Sequence, residues 1–282
     1  MISKKVVTRM KLHVFELGSL KLDKNLVVSM SHVARVKNPH CENEMVEFPV
    51  PAFLIETEKG YILYDTGCHP DCMGEQGRWP VEFQNQVPFE GDETSNILYK
   101  LKELGISPDD IGTVILSHMH NDHAGCVEYF HNAEFIVHRD EFNACIQAYA
   151  LHRYMDSYIW KDTDHWIKNK MNWRLLEPGD GDYEVQPGVT ILNLGPGHAR
   201  GVLALKVDLE NTGTVIITSD AVYCTENYEN EQEPGVIYDT VGWRRSLKYI
   251  KNTARTAHAK VWFGHDRKQF DTLVKSPEGY YD

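Results

Sequence analysis

Ser117-His118-Met119-His120-Asn121-Asp122-His123 places three imidazoles and a carboxylate just past residues 113–117 (TVILS), which read as a buried strand. The chain has 14 histidines, and at that abundance a chance H-x-H-x-D-H match is on the order of a few in a thousand, so the cluster is read as functional. Imidazole and carboxylate are the ligands that zinc and similar borderline metals prefer. Extended backbone at 118–120 points alternate side chains to one side. His118 and His120 can then grip one metal while Asp122 and His123, past the bend, reach a second. A polar turn carrying surface histidines is the competing reading. The isolated residues His13, His32, His40, His69, His131, His138, His152, His165 and His258 are read as surface or satisfied core histidines, the commoner fate of a lone imidazole.

Working outward, residues 50–57 (VPAFLIET) and 60–65 (GYILYD) read as strands joined by a turn at Lys59-Gly60. Residues 94–104 read as a helix with Ile97, Leu98, Leu101 and Leu104 at helical spacing, Thr94 or Ser95 as cap and Gly105 as stop. A strand at 134–138 and a helix at 139–150 follow, then strands at 189–194, 202–207 and 214–219, a helix at 239–255 and a strand at 260–264. His198, Asp220 and His265 fall just past the ends of such strands, as the first cluster does, where loops converge on one sheet edge. Strands outnumber helices, which favours two packed sheets flanked by helices over one doubly wound sheet.

Composition fits this picture. The 282 residues are 42% hydrophobic and 25% charged, with no repeat or linker to mark a boundary, so one domain spanning 1–282 is expected. A net charge of −12 argues against nucleic acid or an anionic membrane as partner. The basic residues Lys4, Lys5 and Arg9 are not followed by the apolar core of a signal peptide, and no run of 18 apolar residues occurs. Cys41, Cys68, Cys72, Cys126, Cys145 and Cys224 are scattered, as free thiols in a reducing cytoplasm would be. Cys68 and Cys72 form a C-x3-C pair with no second pair to complete a zinc site.

The order H-x-H-x-D-H, Pro196-Gly197-His198, Ser219-Asp220-Ala221 and Phe263-Gly264-His265 resembles the metallo-β-lactamase superfamily. The resemblance implies an αββα sandwich of two mixed sheets flanked by helices. It implies His118, His120 and His198 on one metal, Asp122, His123 and His265 on another, and Asp220 bridging them. Tyr64-Asp65-Thr66-Gly67 resembles the family's Asp-x-Gly element, whose carboxylate supports the site by orienting a ligand imidazole. Two divalent metals roughly 3.5–4 Å apart share a hydroxide that attacks a carbonyl or phosphoryl group, with Asp122 as proton carrier. Zinc is the expected ion, and Fe, Mn or Co suit the same shell.

The stretch from Thr218 to Tyr228 is similar to quorum-quenching N-acyl homoserine lactonases, and the likeness extends over roughly residues 11–266. That family places a tyrosine three residues past the bridging Asp to bond the lactone, and Tyr223 stands there. Asp220 itself speaks against a true β-lactamase, which carries Cys or Ser at this place. The expected activity is opening of N-acyl homoserine lactones or related lactones, with thioesters or phosphodiesters as alternative substrates and a non-catalytic metal scaffold as a further alternative. Departures concern the pocket. Polar Asn121 stands where well-known lactonases carry an aromatic, and Arg200 adds a cation near the mouth. Residues 19–48 and 146–174 differ from the family. The latter, with Tyr149, Tyr154, Tyr158, Trp160, Trp166 and Trp173, is expected to form helix packing, a lid or a dimer contact. Monomer and homodimer stay open.

Overall fold

A computed structural model describes residues 9–152 and 157–282; Tyr154 lies outside them. The first sheet is built from β1 (Lys11–Asp23), β2 (Met45–Thr57), β3 (Gly60–Tyr64), β4 (Phe89–Glu90), β5 (Ile111–Ile115), β6 (Glu134–His138) and β7 (Asn172–Leu176), in the order β4-β1-β2-β3-β5-β6-β7. The second holds β8 (Tyr183–Gln186), β9 (Val189–Gly195), β10 (Val202–Leu209), β11 (Gly213–Ile217) and β12 (Lys260–Trp262), in the order β12-β11-β10-β9-β8. β3, β5, β6 and β7 run parallel, as do β11 and β12, while the remaining pairs are antiparallel. Both sheets are therefore mixed.

Strand side chains alternate between faces, and that alternation sorts the apolar residues into three layers. Phe53, Ile55, Ile62, Ile115 and Ile136 meet Ile191, Leu203, Leu205, Val215 and Ile217 between the sheets. Their neighbours Leu54, Leu63, Val114, Phe135 and Val137 face the other way, onto Ala144, Ala148 and Trp166 of the helices Arg139–Ala150 and Trp160–Asn169. On the far side, Leu192, Ala204 and Ile216 receive Trp243, Leu247, Ile250 and Ala254 from the helix Thr240–Ala257. The spacing of those four is the apolar stripe of an amphipathic helix. The result is the expected αββα sandwich. No helix among the described residues is long and apolar enough to cross a membrane.

Element boundaries differ from the sequence reading where side chains claim the backbone. β5 ends at Ile115, short of 117, because Ser117 N donates to the Asp65 carboxylate at 2.7 Å instead of to a neighbouring strand. The helix expected at 94–104 spans Ile97–Glu103 with Asn96 as its cap. Thr94 and Ser95 instead bond the carboxylate of Asp92 in a preceding turn. β1 has no counterpart in the sequence reading, and the helix Trp160–Asn169 falls in the 146–174 segment expected to form helix packing, a lid or a dimer contact.

One polar bond ties the sheets through their common core, from Tyr64 Oη on β3 to the Leu203 carbonyl on β10 at 2.7 Å, with Tyr64 fully buried. Tyr64→Phe is expected to cost about 1–3 kcal/mol by leaving a buried acceptor short of a partner. Urea unfolding measures it.

Candidate metal centre

Every chemistry-bearing loop leaves the C-terminal end of a strand on one edge of the sandwich. Asp65 follows β3, the His118–His123 turn follows β5, His198 sits between β9 and β10, Asp220 follows β11 and His265 follows β12. All seven anticipated ligands are buried, none more than 6% exposed. Their donor atoms form three groups whose members lie within 4.8 Å of one another: His118, His120 and His198; Asp122, His123 and His265; and His118, His123 and Asp220.

Asp220 joins the sets. Its Oδ2 lies 3.3 Å from His198 Nε2 and 3.7 Å from His118 Nε2, and its Oδ1 lies 2.8 Å from His265 Nε2 and 3.3 Å from His123 Nε2. Each carboxylate oxygen thus faces a different histidine set. Burial opposes ionisation of Asp220, yet His265, His123, His198 and His118 outweigh it and hold the group well below the usual carboxylate range.

The imidazoles carry the marks of ligands. Burial, with repulsion from neighbouring imidazoles, keeps His118 and His120 well below the usual histidine value, and burial likewise lowers His198, so all three present neutral rings. Burial would lower His123 too, but Asp122, Asp220 and Asp65 raise it well above. That imbalance is a concentration of negative charge in want of a cation. His118 Nε2 and His123 Nε2 are buried with no hydrogen-bond partner, a costly state unless a metal fills it. The residues therefore fit a pair of metal ions.

The opposite ring nitrogens are anchored. His123 Nδ1 meets Asp65 Oδ2 at 2.9 Å, His265 Nδ1 the Pro49 carbonyl at 2.8 Å, His198 Nδ1 the Val236 carbonyl at 3.1 Å and His118 Nδ1 Ser117 Oγ at 2.9 Å. Such partners fix the ring orientation and the tautomer that leaves the other nitrogen free for a metal. Asp65 and Ser219 pay in backbone strain, with φ of 61° and 45°. Gly264 leaves room for Ser219 and Asp220, since a Cβ there would fall 2.6 Å from the Ser219 carbonyl and 3.2 Å from Asp220 Oδ1.

A model of the metallo-beta-lactamase superfamily matches residues 45–141. Over 273 residues the chain is 42% identical to the N-acyl homoserine lactonase AiiB of Agrobacterium fabrum, covering 96% of this chain and 99% of that one. The chain belongs to the N-acyl homoserine lactonase family of the metallo-β-lactamase superfamily. Among solved structures, an AiiA variant from B. thuringiensis with N-decanoyl-L-homoserine bound at its active site matches with a TM-score of 0.81 and 31% identity, over 98% of this chain and 100% of that one. An N-acyl homoserine lactone hydrolase with its product N-hexanoyl-L-homoserine at the catalytic metal centre matches with the same score, identity and coverage.

In this lactonase-family chain, Tyr223 stands beside the centre, its hydroxyl 2.9 Å from His198 Nδ1. Burial, then Asp220 and Asp122, push its phenol well above the usual value, so it keeps its proton. Phe48 stacks on His265 at 3.9 Å and meets Tyr223 edge-on at 5.1 Å. Two cavities flank the cluster. One of about 170 Å³ is lined by His120, Tyr158, His198, Arg200, Val236 and Tyr238, with the Arg200 guanidinium 4.4 Å over the Tyr238 ring. The other, about 330 Å³, is lined by His265, Phe48, Val27, Val28, Val46 and Cys224 among others, so part of the 19–48 stretch borders the site. Asn121 is buried, its backbone N–H on the Ser157 carbonyl and its Nδ2 without a partner, and it lines neither cavity.

Of the 146–174 aromatics, Tyr158 reaches the site, with its ring 5.4 Å from His120. Trp166 is buried in the core, Trp173 packs against it, Tyr149 bonds Asp164 and Trp160 is exposed. Cys68 and Cys72 are free and join no metal-binding group among the described residues. The sequence reading missed Glu141, fully buried behind the first histidine set; burial pushes it up to about 7 despite the bonds donated to it by Met119 N, Tyr158 Oη and the Arg200 and Gly201 amides. Its signal was a charge on the buried stripe of Glu141, Ala144, Cys145 and Ala148.

Asp65→Asn keeps the shape of the His123 anchor but removes its charge. Metal affinity is expected to fall about 10- to 100-fold, read by titration of the stripped protein against a coloured chelator.

Proposed function

We propose that this protein opens the ring of N-acyl homoserine lactones and related lactones, using two divalent cations held by His118, His120 and His198 on one side, Asp122, His123 and His265 on the other, and Asp220 between. The observation that carries the reading is the Asp220 carboxylate, one oxygen toward each histidine set, with the Tyr223 phenol alongside. Zinc is the ion, in keeping with a shell of imidazoles and carboxylates. When bound, the cations supply an activated water at neutral pH and polarise the ester carbonyl.

The chain's own groups do the rest. Asp122 is held ionised: burial opposes this, but His123 and then His265 prevail. Its carboxylate takes a proton from the attacking water and delivers it to the ring oxygen as the acyl C–O bond breaks, leaving a hydroxy acid. With His198 Nε2 turned to the cation, its Nδ1–H is shared between the Val236 carbonyl and the Tyr223 oxygen. The phenol hydrogen of Tyr223 is then directed at the substrate, where it stabilises the developing oxyanion. The larger cavity, with Val27, Val28, Val46 and Phe48, takes the acyl chain, and Arg200 borders the smaller one. Six free thiols fit a reducing cytoplasm.

A panel of an N-acyl homoserine lactone, a glutathione thioester and a phosphodiester tests this. Turnover of the lactone, lost on chelation and restored by zinc, is expected; turnover of the phosphodiester alone overturns the reading. Tyr223→Phe is expected to lower kcat by about 100-fold with metal content unchanged, measured by steady-state kinetics and metal analysis.

A further inference from the structure

We propose that Glu141 is a positioning residue that clamps together the two loops carrying His118, His120 and His198, and thereby sets the affinity of that cation site independently of its neighbour. The inference rests on the metal reading above. Glu141 lies in the first turn of the helix Arg139–Ala150 and touches no ligand side chain by any hydrogen bond described. Its Oε1 accepts from Met119 N and from Tyr158 Oη, each at 3.0 Å, and its Oε2 accepts from Arg200 N at 3.0 Å. Met119 is the residue between His118 and His120, and Arg200 is two past His198. One carboxylate therefore joins a loop of the first sheet to a loop of the second.

The base of the clamp is itself held. His138 caps the same helix, its Nδ1 accepting from Asp140 N at 3.2 Å, and its ring fills the space beside Gly201. A Cβ on Gly201 would fall 2.0 Å from that nitrogen, so the loop after His198 can close on the helix only with glycine there. The side-chain donor, Tyr158, sets its ring against His120. The other cation set has different anchors, Asp65 for His123 and the Pro49 carbonyl for His265. Metal ligation tolerates errors of only roughly 0.2 Å. A loop released at Met119 or Arg200 would thus loosen the three-histidine set first, while Asp65 and the Pro49 carbonyl still hold His123 and His265.

Glu141→Gln preserves volume but turns an amide N–H toward a backbone N–H. Chelator-stripped protein is titrated with zinc alone against a coloured competitor, in wild type, Glu141→Gln and Glu141→Asp. The wild type is expected to bind two equivalents. In Glu141→Gln one equivalent weakens about 10- to 100-fold and the other holds, with a milder loss in Glu141→Asp. Equal weakening of both equivalents, or of neither, in folded Glu141→Gln overturns the clamp alone. A wild type that takes up no zinc overturns the metal reading and the clamp with it. Where the variants fail to fold, hydrogen exchange in metal-free wild type decides: the Met119 and Arg200 amides are expected to be protected, and exchange at the rate of exposed loop amides overturns the proposal.

Discussion

A carboxylate buried among four imidazoles is the constraint on which this molecule turns. Asp220 can remain ionised in the interior only because positive or polarisable partners surround it on both sides. Asp65 and Asp122 add further negative charge, enough to draw His123 toward its protonated form in the absence of a metal. A protein that assembles so much unbalanced charge spends stability to do so. Two cations held there would convert that cost into binding energy, and the left-handed backbone at Asp65 and Ser219 belongs to the same expense.

The convergence of these residues on one centre was legible because metal chemistry demands uncommon residue types at short spacing, and His118-x-His120-x-Asp122-His123 meets that demand within one turn. His198, Asp220 and His265 could be read only as a set in order, since each alone resembles an ordinary turn. The layered fold was legible for a related reason: the strands that build the intersheet core alternate cleanly enough to divide their side chains between two apolar layers. Glu141 stayed hidden because an acid in the first turn of a helix has a ready explanation in the helix dipole. The cap of the helix Ile97–Glu103 was misplaced because Asp92 competes for the hydroxyls of Thr94 and Ser95. Pro49 and Val236 act through their carbonyls, which no side-chain pattern can reveal.

The supports around the centre divide in part along the same line as the ligands, with Ser117 joining the halves through its hydroxyl on His118 and its amide on Asp65. Behind one cation set stand Glu141, Ser117 and the Val236 carbonyl, and behind the other stand Asp65 and the Pro49 carbonyl. Tyr223 touches both halves, bonded to His198 and packed within 5.6 Å of His265. Such a place between the two sets suits the role proposed for its phenol.

The distribution of ligands over the two sheets has a mechanical meaning. His118, His120, Asp122 and His123 descend from the first sheet, while His198, Asp220 and His265 descend from the second, so every cation group draws on both. Held as proposed, each ion would be a rivet through the seam of the sandwich. Coordination bonds there would add to the buried intersheet core and the Tyr64–Leu203 bond in fixing the register of the layers at the rim. On that reading the cations that supply the chemistry would also fasten the architecture, and the sharpness of the catalytic geometry and the cohesion of the two halves would rise and fall together.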